Sequence, residues 1–136
     1  MKKSINIILL TLGLALSSVA SAQEGMHFGA NETFKYWTGS APWKGIKVVN
    51  GQYWASNHFT KEYKMYMEVK VPINMATNFI TDNKLTPIDD KIKYPADAPG
   101  WFTPTEICKE YKAGTQGSKY FIDLKTGYMF MYEIQL

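Results

Sequence analysis

The sequence predicts one small α+β domain, an antiparallel sheet of about five strands with two short helices packed mainly on one face, ordered β-β-β-α-α-β-β. Three observations carry that expectation. Alternation is sustained from Tyr63 to Val71 and again from Tyr128 to Leu136. Ile73, Ala76, Phe79 and Ile80 recur at helical spacing, and Thr103-Pro104-Thr105-Glu106 has the form of a capped helix start. A small closed or strongly curled sheet is the rival arrangement.

Residues 1–22 read as an export signal. Lys2 and Lys3 give a positive start, Ile5 to Leu16 is almost wholly apolar, and Ala20-Ser21-Ala22 supplies the small-x-small cleavage pattern before Gln23. The apolar core is shorter than the roughly 20 residues needed to span a bilayer. The expected product is therefore an exported chain of residues 23–136, periplasmic or extracellular, with no membrane span of its own.

In that chain, residues 23–44 form an irregular N-terminal arm in which Asn31 could cap a short helix through Trp37, stopped by Gly39. Ile46 to Val49 and Gln52 to Ala55 flank Asn50-Gly51, a pair that suits a tight type I′ hairpin. Tyr63 to Val71 is a half-buried strand, with Lys64, Tyr66, Glu68 and Lys70 as its solvated row. Pro72 ends it and opens an amphipathic helix fading near Asn83.

The stretch 84–102, with Pro87, Pro95, Pro99 and Gly100, is a long loop of a length that often serves function. The second helix is expected over 104–112, with Ile107, Cys108 and Tyr111 on its inner face. Residues 119–123, a turn over 124–127, and 128–136 close the chain. Nearly both faces of the last segment are apolar, which predicts a central strand covered on more than one side.

Composition excludes several functions. The full chain carries +3, and loss of Lys2 and Lys3 leaves +1, so no nucleic-acid footprint exists. There is no Arg, hence no fork-shaped donor for phosphate or carboxylate. Cys108 is the single cysteine, so stability must come from packing rather than an internal disulfide.

Candidate chemistry is sparse. Cys108 could be a thiol nucleophile with His27 or His58 as base, but its spacing points it into the core, where free cysteine behaves as a small hydrophobe. Asp82, Asp89, Asp90 and Asp97 crowd one region without the spacing of a calcium loop, and no zinc pattern occurs, so neither metal nor cofactor is expected. A carboxylate pair remains an open alternative, since such pairs meet in space. The favoured reading is a non-enzymatic binding module whose aromatic anchors are Trp37 and Trp43 on the arm and Tyr94, Trp101 and Phe102 before the second helix. A protein partner is placed ahead of an envelope or extracellular glycan, with plugging of the core as the plainer role for each ring.

Overall fold

The computed structural model describes residues 25–56, 62–89, 91–114 and 117–135. Residues 1–22, read above as an export signal, lie outside them. Seven strands and two helices follow in order: β1 (Gly25–Phe28), α1 (Ala30–Thr38), β2 (Lys47–Ala55), β3 (Tyr63–Lys70), α2 (Ile73–Asp82), β4 (Thr86–Ile88), β5 (Lys109–Lys112), β6 (Lys119–Asp123) and β7 (Tyr128–Gln135). They make a single sheet in the order β1-β2-β3-β7-β6-β5-β4, antiparallel throughout. Two antiparallel runs, β1-β2-β3 and β4-β5-β6-β7, thus meet at the β3–β7 seam.

Seven strands replace the five expected, and each difference has a local cause. The N-terminal arm holds β1 and α1, separated by Gly29 at φ 122°, a left-handed value that only glycine adopts cheaply. Asn50-Gly51 is no turn; it lies inside β2 beside a bulge at Val48/Asn50. Gly51 is required there because α1 crosses it closely. A Cβ at Gly51 would stand 2.5 Å from the Thr33 side chain, and the Gly29 amide donates to the Gly51 carbonyl at 3.1 Å.

The predicted second helix over 104–112 is also corrected. Its cap sequence forms only one turn, in which the Cys108 amide donates to the Thr105 carbonyl at 3.0 Å, and the chain then enters β5 against β6. Alternation decides the outcome: Glu110 is buried and ion-paired to Lys119 at 3.0 Å, Tyr111 is buried on the opposite face, and Ile107 stays 68 % exposed. The long loop likewise contributes β4, three residues that carry Pro87. β4 and β1 are the two margins of the sheet, and β1 has neither proline nor charge.

Both sheet faces are apolar, as the last strand foretold. Met129 and Met131 of β7 join Met65, Met67 and Val69 in one cluster with Phe34 and Trp37 of α1 and Ala76 and Phe79 of α2. Phe130 and Tyr132 join Tyr66, Phe121 and Phe102 in another, closed by the chain over 92–108. The row read as solvated is therefore interrupted: Tyr66 is fully buried, and its hydroxyl donates to Asp97 at 2.5 Å.

Candidate binding surfaces

The five aromatic candidates divide between the two faces. Phe34 takes Trp37 and Trp43 edge-on, at centroid distances of 5.9 and 5.3 Å, and the Trp43 indole N–H donates to Ser40 Oγ at 3.1 Å. Both indoles line an apolar cavity of about 40 Å³ between the helices and the sheet. On the other face Phe102 is the hub, edge-on to Tyr66, Phe121 and Phe130 at 5.0, 5.9 and 5.6 Å, with Trp101 at 6.1 Å. Tyr94 is 48 % exposed, its hydroxyl donating to the Pro104 carbonyl at 2.7 Å. No single surface unites them.

Among the described residues, the face away from the helices is only partly covered. Register aligns Met26, Trp54, Lys64 and Ile134 in one cross-strand row, and Phe28, Gln52, Tyr66 and Tyr132 in the next. The loop reaches Tyr66 through Asp97 and leaves a groove of about 360 Å³ lined by Met26, Gln52, Trp54, Lys64, Asp97 and Ile134, with Tyr66 beneath. Beside it Met26 is 46 % and Phe28 67 % exposed. Asp97 accepts from Lys64 Nζ at 2.6 Å and from Tyr66, and these two bonds, Lys64 first, hold its carboxyl below the usual carboxylate range. The groove thus carries a charged pair at neutral pH beside an open aromatic and thioether patch.

Met26, Phe28 and Trp54 were not among the sequence candidates. A signal for Trp54 existed, since Asn50, Gln52 and Trp54 alternate with Gly51, Tyr53 and Ala55, but a hairpin broken at Asn50-Gly51 hides the alternation. β1 is too short, at four residues, to declare a period.

The thiol arrangement is weakened by distance. Cys108 is buried, and desolvation pushes its thiol up, away from the thiolate a nucleophile needs. His27 stacks on Tyr36 at 4.4 Å in β1, and four strands separate β1 from β5, so roughly 24 Å lies between them at about 4.8 Å per strand. His58 lies outside the described residues, as does Asp90. Asp89 pairs with Lys109 at 2.8 Å and Asp97 with Lys64, and no group of three metal-ligating side chains occurs among the described residues. Among them no helix is long and apolar enough to cross a membrane.

One acid stands apart on the helix-covered face. Glu133 continues the row of Met129 and Met131, and its Oε1 accepts from the Tyr63 hydroxyl at 3.1 Å. Its Oε2 is buried without a hydrogen-bond partner among the described residues. Burial raises its carboxyl to about 7, against weaker pulls from Tyr63 and the Trp37 indole. In turn burial first, then Glu133, lifts the hydroxyls of Tyr53, Tyr63 and Tyr120 above their ordinary range. The shift comes first from burial, and among the described residues no second carboxylate contributes to it. Comparison with protein families, with curated proteins and with solved structures finds no match for this chain.

Proposed function

We propose that the chain is an exported, non-enzymatic binding module that takes a protein partner on the open face of β1, β2 and β3. The carrying observation is the exposed pair Met26 and Phe28 beside the Trp54 groove. Large apolar side chains left in water next to a satisfied polar rim are the composition of an interface centre, where aromatic and methionine side chains are enriched. Export rests on the leading segment, and the buried Cys108, its thiol pushed up by desolvation, supports a non-enzymatic role.

The test is capture from the native envelope fraction with the tagged mature chain and with a Met26→Ser/Phe28→Ser variant. A stoichiometric companion held by the former and lost by the latter is the expected result. Equal capture by both moves the interface elsewhere. A glycan is the second reading, favoured by the placement of Gln52, Lys64 and Asp97 around Trp54, since an indole face flanked by polar groups suits a sugar ring. A saturable shift of tryptophan fluorescence on titration with soluble oligosaccharides selects it. Rapid labelling of Cys108 in the folded protein by a thiol reagent at neutral pH would restore the enzyme reading.

A further inference from the structure

The cavity on the opposite face is a second site, independent of the reading above. It lies where α1 and α2 meet the centre of the sheet, and every lining residue is apolar, including Met67, Met75, Met129 and Met131. A void of about 40 Å³ has room for about three water-sized groups, yet water finds no partners there, so the cavity suits an apolar group rather than water. Four methionines make the wall adaptable, because an unbranched thioether side chain re-packs at little cost. Most of the lining is buried, but Trp43, Ile46 and Met75 are only half-buried, which places the mouth at them. Exposed Pro72 and half-exposed Ile73 extend this apolar lip.

Charge identifies the other end of the ligand. An exposed lysine adjoins each of three lining residues in sequence: Lys44 beside Trp43, Lys47 beside Ile46, and Lys70 beside Val71. Lys47 and Lys70 are also directly opposed across the last rung of the β2–β3 ladder, a like-charge pairing that costs stability unless an anion relieves it, and Glu68, the next side chain on that face, is engaged by the Asn50 amide at 2.9 Å. They leave the sheet on the face opposite the cavity, but from its end, where long flexible stems can reach round the margin. The nearby turn carboxylate, Asp123, is occupied by the Lys125 amide and the Thr126 hydroxyl.

We infer that this site binds the chain end of a single-chain anionic amphiphile, a fatty carboxylate, with the tail in the cavity and the carboxylate among Lys44, Lys47 and Lys70. Bromine quenches indole fluorescence on contact, so 11-bromoundecanoate below its micelle concentration reports a tail lying against Trp37 and Trp43. Saturable partial quenching is expected in the wild type and in Trp54→Phe, at least about fivefold tighter for the acid than for 11-bromoundecanol. The Lys44→Gln/Lys47→Gln/Lys70→Gln variant, altered only at exposed positions, is expected to lose that preference. Val69→Phe, which fills the void, is expected to lose quenching by both probes. Quenching that disappears in Trp54→Phe, equal binding of acid and alcohol, unsaturable quenching, or binding only to anionic phosphatidylglycerol vesicles each overturns the inference.

Discussion

At the scale of single residues, the buried Glu133 makes the fold lose stability as pH rises. Its carboxyl is raised to about 7 from an ordinary 4.5, so the folded protein holds this proton more tightly than the unfolded chain. The sign follows. The contribution is fully present below about pH 4.5 and is lost as pH climbs through 7, with a total of about 3 kcal/mol at roughly 1.4 kcal/mol per unit. Urea unfolding between pH 4.5 and 8 is expected to show the wild type losing stability relative to Glu133→Gln as pH rises. Parallel curves for the two proteins would remove Glu133 from the account. Asp97 works in the other direction, its lowered carboxyl favouring the fold above the carboxylate range, but it is exposed and its effect is small. Glu133 was visible in the sequence as the one acid in the row Met129, Met131, Glu133 and Gln135 of the last strand. What the row could not say is that Tyr53, Tyr63 and Tyr120 close over it.

At the scale of elements, the contact between α1 and β2 depends on the absence of a side chain. Gly51→Ala puts a Cβ 2.5 Å from Thr33 and 2.9 Å from the Gly29 carbonyl oxygen, so the helix must lift from the strand. Overpacking of this kind costs about 1–3 kcal/mol. A matching drop in the urea midpoint, with an unchanged slope, is the expected outcome. An Asn50-Gly51 hairpin would instead tolerate little change at its turn and would leave α1 untouched. This is also why the element was misread, since a dipeptide with strong turn chemistry is overridden by a helix that arrives from outside the local window. The elements legible in advance are β3, α2 and β7, whose period spans eight or more residues, together with β6, bounded by its turn over 124–127, and α1, stopped at Gly39. β1, β4 and β5 have four, three and four, and declare themselves only through their partners. Of the aromatic candidates, Phe102 proved the clearest core plug, because a proline-rich loop needs an anchor as much as a partner does.

At the scale of the whole molecule, the topology makes the seam indivisible. β3 pairs with β7 from Tyr63↔Gln135 to Lys70↔Tyr128, so strands some sixty positions apart must meet before either half has a finished core. The helix side is then closed except for its small cavity, while the outer half of the other face stays open. That asymmetry was not legible in the sequence, because alternation tells which residues share a face but not how far a loop will reach across it.

A second asymmetry lies in the margins. The β4 border is three residues long and bears Pro87, which offers a poor template to an incoming chain, whereas the β1 border carries no proline and pairs with no further strand among the described residues. Polymerisation requires two adhesive ends on every unit. With one adhesive end and one blunt end, stacking border to border terminates once two molecules have joined. Concentrated solutions are therefore expected to hold monomers and pairs in sedimentation velocity, and a ladder of larger species would show that the blunt border is adhesive after all.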